Sequence, residues 1–110
     1  MSMQNEIQEV IDKFHRKMEK DENLRKEMEP IVKTFNLDLG DEKYCMKLKD
    51  AKIYFFEPVL DPNPDVTITT TPENLHGLIE GTLRPMRAYV LKKISVKGKI
   101  DDLMFLKKLF

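Results

Sequence analysis

Two histidines, a single cysteine and a few neighbouring carboxylates are the groups of this sequence best suited to catalysis or metal binding. His15 sits beside a helical apolar stripe, without a Cys or a second His at ligand spacing, and reads as structural rather than metal-binding. His76 precedes Gly77; as a general base it would need a nucleophile beside it, and no GxSxG elbow supplies one. Cys45 is alone, so no intrachain disulfide or CxxC site forms, and its position in a strand offers no adjacent base to make a thiolate. The acids at Asp41-Glu42, at Asp61 and Asp65, and at Asp101-Asp102 fall in turns or at helix starts, where carboxylates cap backbone N–H groups. The four glycines, Gly40, Gly77, Gly81 and Gly98, form neither GxGxxG nor a P-loop. These residues predict no enzyme, no metal and no cofactor.

The elements that would hold a site follow from periodicity. Ile7, Val10, Ile11, Phe14 and Met18 recur at helical spacing over roughly 100° of arc, opposite Glu6, Glu9, Lys13, Arg16, Lys17 and Lys20. Asp21 is placed to cap a short second helix holding Leu24 and Met28, which Pro30 ends. The period then becomes two. Phe35, Leu37 and Leu39, then Tyr44, Met46 and Leu48, then Ile53 and Phe55 alternate with mostly polar residues, predicting two hairpins. Ala51 suits positive φ poorly, so the second hairpin is expected to use a bulge or a type I turn. Pro58, Pro62 and Pro64 mark a stiff loop. Val66, Ile68 and Thr70 predict a fourth strand, and Thr71-Pro72-Glu73 a capped helix ending at Gly81. Arg84-Pro85 opens another helix with Met86, Tyr89 and Val90; Ile94 and Val96 form a fifth strand; Asp101 caps a last helix.

Every strand thus has one apolar face, while the other is mostly Thr, Lys, Asn, Asp and Ser, with Tyr54 and Phe56 as interruptions. That pattern predicts an α+β fold: a sheet covered by helices on one face only, in one domain spanning residues 1–110. Nineteen basic and nineteen acidic residues cancel, which argues against a nucleic-acid partner. Met1 to Glu9 is polar and acidic rather than basic then apolar, and no apolar run reaches the ~20 residues of a membrane span. A soluble, cytoplasmic chain without a signal peptide or integral membrane segment is expected.

In place of a reactive centre the sequence has surplus apolar surface. Leu75, Leu78 and Ile79, then Leu83, then Met86, Tyr89 and Val90 crowd one region. Leu103, Phe105, Leu106, Leu109 and Phe110 cover roughly 160° of a wheel, against about 100° for a helix that only covers a sheet. A stripe that wide needs contact on two sides. A second helix or a dimer partner is one explanation and an apolar guest the other. With Phe35 and Met46 from the sheet face, these residues are the candidate ligand-binding set, and no catalytic or metal set accompanies them.

The stretch DVTITTTPENLHGLIEGTLRPMRAYVLKKISVKG resembles the second half of the sterol carrier protein type 2 domain. FNLDLGDEKYCMKLKDAKIYFF and KFHRKMEKDENLRKEM fit the same layout upstream, so the likeness covers nearly the whole chain. Departures are Asp50-Ala51 where Asp-Gly is common, a longer EPVLDPNPD loop, and Val90-Leu91-Lys92-Lys93 without the glycine often found before the last strand. The resemblance implies a five-stranded, mostly antiparallel sheet with helices on one face enclosing an apolar tunnel. The ligand classes it implies are sterols, fatty acids, acyl-CoA esters and phospholipids. The expected function is non-catalytic binding or transfer of a fatty acid, acyl-CoA, sterol or isoprenoid, with transient membrane contact, as a monomer or homodimer. The alternative is an accessory or dimerisation module that assists a lipid-modifying enzyme. An empty tunnel of ~300 Å³ would cost about 7 kcal/mol, so such a domain is expected to be lipid-filled or closed when empty.

Overall fold

The protein is described from a computed structural model, which places residues 2–99. Helix α1 (Gln4–Lys20) is followed by α2 (Glu22–Met28), strands β1 (Lys33–Asp38), β2 (Lys43–Lys49), β3 (Lys52–Glu57) and β4 (Val66–Thr69), helices α3 (Pro72–Glu80) and α4 (Pro85–Val90), and β5 (Ser95–Lys97). The last helix expected from Asp101 lies outside the described residues. The sheet order is β3-β2-β1-β4-β5. All neighbours are antiparallel except β1 and β4, whose parallel register sets Phe35 beside Val66 and Leu37 beside Ile68.

The helices form for local reasons. In α1 the buried residues are Ile7, Ile11, Phe14 and Met18, the stripe read from the sequence. Asp21 accepts a hydrogen bond from the Leu24 N–H at 3.0 Å and so caps α2. Thr71 accepts from Asn74 N–H at 3.1 Å, Pro72 occupies the first turn, and Gly81 ends α3 at φ 83°. Gly77 lies mid-helix because the next turn presses on it: a Cβ there would meet Leu83 Cβ at 3.2 Å, and the Leu83 N–H donates to the Gly77 carbonyl.

The second hairpin carries a bulge, as expected, but its turn type and the facing of Phe55 are corrected. Asp50 and Ala51 both adopt positive φ, 53° and 58°, as a two-residue type I′ turn demands, and Ala51 is buried despite that conformation. The bulge comes later. Leu48 pairs with Ile53 and Lys47 with Phe55, leaving Tyr54 as an extra residue. Because side chains alternate, one extra residue reverses the faces beyond it. Phe56, opposite Met46, packs against the core with its ring centroid 5.3 Å from that of Tyr44. Phe55, expected on the core face, instead lies on the outer face, where the Lys47 ammonium sits 4.9 Å from its ring centroid.

The outer face is not wholly bare either. The proline loop folds across it, tied by Asn36, whose amide donates to the Asp61 carbonyl at 2.8 Å and accepts from the Asp61 N–H at 3.0 Å. Asn36 and its cross-strand neighbour Cys45 are buried in consequence.

Lys92 stands at φ 59° in the exposed junction that precedes β5. This left-handed geometry costs an L-residue about 1–2 kcal/mol, partly offset by glycine's larger unfolded-state entropy. Lys92→Gly should raise stability by roughly 0.5–1 kcal/mol. A higher urea midpoint at unchanged slope is the expected result; a lower one rejects it.

Candidate functional site

Helices α1 and α3 cross the apolar side of the sheet and leave a hollow of about 30 Å³ between them. Ile7, Val10 and Ile11 come from α1, Leu37, Met46, Ile68 and Thr70 from the sheet side, Leu75, Leu78 and Ile79 from α3, and Ile94 from the run into β5. Thr70 is the one residue there with a polar side chain, and its hydroxyl donates to the Lys93 carbonyl at 2.9 Å. The hollow has room for a water or two by size, yet nothing in its lining to hold them.

An open groove adjoins it, sharing Val10, Leu78 and Ile79. Lys13 and Arg16 of α1 and Arg84 before α4 bring positive charge to its walls; Glu9 and Glu80 bring negative charge. The apolar hollow and a groove with a cationic excess thus share the side chains of Val10, Leu78 and Ile79, an arrangement suited to an amphiphile.

Of the ligand-binding set read from the sequence, the structure gathers Met46, Leu75, Leu78 and Ile79 around the hollow, and Leu83 in the groove. Phe35 is buried in the same core but does not line the hollow. Met86, Tyr89 and Val90 are exposed on α4, away from it; Ala88 is the residue by which α4 is buried. Leu103, Phe105, Leu106, Leu109 and Phe110 lie outside the described residues. Sequence reasoning placed Ile7, Val10, Ile11, Leu37, Ile68 and Ile94 in the general core and missed that they line the hollow. The signal was present: α1 carries a complete apolar stripe that must face the same side of the sheet as α3.

The reactive groups are occupied structurally. The His15 Nε2 accepts from the Ile53 N–H at 3.0 Å. Burial pushes the Cys45 thiol up, against thiolate formation, although Lys47 nearby opposes this. Glu42 accepts from the Tyr44 hydroxyl at 2.6 Å and from the Met3 N–H at 2.8 Å, which hold its carboxyl below the usual range and fix the start of α1 to the first hairpin. Among the described residues no three His, Cys, Asp or Glu gather as a metal site.

His76 bridges the two helices that flank the hollow. Its Nδ1 is 3.0 Å from Glu6 of α1 and its Nε2 3.0 Å from Glu80 of α3. The hydrogen bond to Glu6, and then the charge of Glu80, hold its pKa above the ordinary 6.5. A raised folded value means that the tie is complete below the unfolded histidine's pKa and is lost as pH rises through the folded one. The ring is half exposed, so its effect on stability is slight. A proton-NMR titration should place the His76 midpoint above 6.5, and Glu6→Gln or Glu80→Gln should lower it. A midpoint at or below 6.5 in the parent chain would contradict the bridge.

A sequence profile of the SCP-2 sterol transfer family matches residues 11–110. No curated protein sequence matches. Among solved structures, Sterol Carrier Protein 2 Like 2 from Aedes aegypti is 19% identical with a TM-score of 0.62, over 99% of this chain and 100% of that one. A palmitated form of the protein from the same insect, solved in solution, gives 21% and 0.63, over 91% and 89%. The stereoselective inverting sec-alkylsulfatase from Pseudomonas sp. gives 18% and 0.66, over 78% of this chain but 14% of that one. At such identities the likeness is one of fold.

Proposed function

Because the chain belongs to the SCP-2 sterol transfer family, we propose that it binds and transfers a lipid with a long apolar tail and an anionic head, a fatty acid or acyl-CoA before a sterol or isoprenoid. The observation that carries this reading is the apolar hollow that shares Val10, Leu78 and Ile79 with a groove bearing Lys13, Arg16 and Arg84. The tail takes the hollow and the head meets the groove's cations.

A volume of about 30 Å³ holds no acyl chain, so α1 and α3 part to admit one. Closure when empty is the cheaper state, since a void of ~300 Å³ would cost about 7 kcal/mol. Each methylene buried from water returns roughly 0.8 kcal/mol, so a long tail offsets the opening. The reading is non-catalytic: both histidines are engaged by structural partners and the thiol is buried and held protonated. It works in the cytoplasm, and among the described residues no helix is long and apolar enough to cross a membrane.

Mass spectrometry of an organic extract of the purified chain, with displacement of a fluorescent fatty acid in vesicle-free solution, tests it. A co-purified acyl lipid and saturable displacement are expected; an extract free of lipid and no displacement reject it. The second reading, an accessory module, is favoured by the sulfatase likeness, in which this fold makes up a small share of a longer chain. A stable complex with an enzyme of lipid metabolism, formed without any lipid bound, would favour that reading instead.

A further inference from the structure

We propose that α4 and the turn after it dock the domain on an anionic lipid bilayer. Met86, Tyr89, Val90 and Leu91 are 39%, 43%, 73% and 48% exposed. Met86 lies three and four residues before Tyr89 and Val90, so the three share one face of the helix. Three large apolar side chains left in water on a six-residue helix, with a fourth, Leu91, at its C-cap, are costly unless something covers them.

Charge identifies the cover. Arg84, Arg87, Lys92 and Lys93 surround the patch, all exposed, and none is paired with a carboxylate among the described residues. From Gly81 to Lys99 the sequence holds six basic residues and no acidic one, in a chain whose net charge is zero. An apolar ridge rimmed by cations on long apolar stems matches the boundary of an anionic bilayer: the ridge enters the acyl edge, the Tyr89 ring sits at headgroup depth, and the cations meet phosphates and carboxylates. An apolar protein groove would cover the ridge but leave the cations unanswered.

The base of the ridge is held firmly. Ala88 is fully buried, and its carbonyl accepts from the Lys93 N–H at 2.8 Å, which fixes the turn against α4. Arg84 and Pro85, which start α4, also line the groove leading to the hollow. A docked α4 therefore sets that groove at headgroup level. This last step rests on the carrier reading; the docking itself does not.

The test is sedimentation of the full chain with phosphatidylcholine vesicles, with and without phosphatidylserine. Binding is expected only with phosphatidylserine and should weaken with salt. Each of Arg87→Glu, Lys92→Glu and Lys93→Glu should lower partitioning at least roughly fivefold. Val90→Ser should lower it while leaving the circular dichroism unchanged. The chain has no tryptophan, so Tyr89→Trp supplies a sole reporter whose emission should move to the blue when anionic vesicles are added. Equal binding to neutral vesicles, or charge reversals without effect in folded protein, would overturn the proposal. So would an indole already shielded in vesicle-free solution, whether by a second copy or by the chain's own residues 100–110. Fatty-acid displacement without vesicles, measured on the same variants, reads the carrier function separately.

Discussion

Phe14→Ala should lower the stability of the domain by about 3–5 kcal/mol, the usual cost of emptying a buried aromatic site. Phe14 is 1% exposed, midway along α1, and sits within the one cluster that joins α1, α3 and the sheet. Its loss removes transfer free energy and leaves a void that a helix pinned at its start by Glu42 closes only in part. A small domain holds only ~5–15 kcal/mol in total, so the variant sacrifices a large share of it. The fitting control is Val32→Ala, at a side chain 62% exposed, which should change stability by less than about 0.5 kcal/mol. Urea unfolding read by circular dichroism decides: the Phe14→Ala midpoint should fall sharply at nearly unchanged slope. If the two variants unfold together, α1 is not a core helix.

The same helix shows what was legible in the sequence and what was not. Its stripe, the Asp21 and Thr71 caps, the stop at Gly81 and both hairpins are encoded within a few residues of one another, and reading periods of 3.6 and 2 recovers them. The bulge at Tyr54 defeats that reading. One inserted residue moves Phe56 inward and Phe55 outward, and alternation cannot register an insertion that depends on the partner strand. The parallel pairing of β1 with β4 and the passage of the proline loop over Asn36 and Cys45 are non-local, so no window of sequence contains them. The site divides in the same way. Leu75, Leu78 and Ile79 stood out because one short segment is so apolar, whereas Val10 and Ile11 merged with an ordinary core stripe. On α4 the spacing of Met86, Tyr89 and Val90 shows that they share a face but not where that face points. The small Ala88 decides it, because it alone lets the helix lie close to the fold.

A saturating long-chain fatty acid should raise the melting temperature by roughly 10–20 °C. Ligand at a hundred times its dissociation constant adds about 2.7 kcal/mol, and each kcal/mol moves a domain of this size by roughly 4–8 °C. Val10→Trp should abolish most of that shift. Val10 is half-buried where the hollow meets the groove, so a larger side chain there stands in the passage a tail must take. An indole at that border has the groove to expand into, which limits overpacking, and the lipid-free variant should stay within about 1–3 kcal/mol of the parent. Binding weaker by tenfold or more in the variant, with its own unfolding still cooperative, would show that tails enter between α1 and α3. If Val10→Trp keeps the whole shift, the route lies elsewhere in the fold. If the parent chain shows no shift at saturating fatty acid, the hollow is ordinary core packing and the carrier reading fails with it.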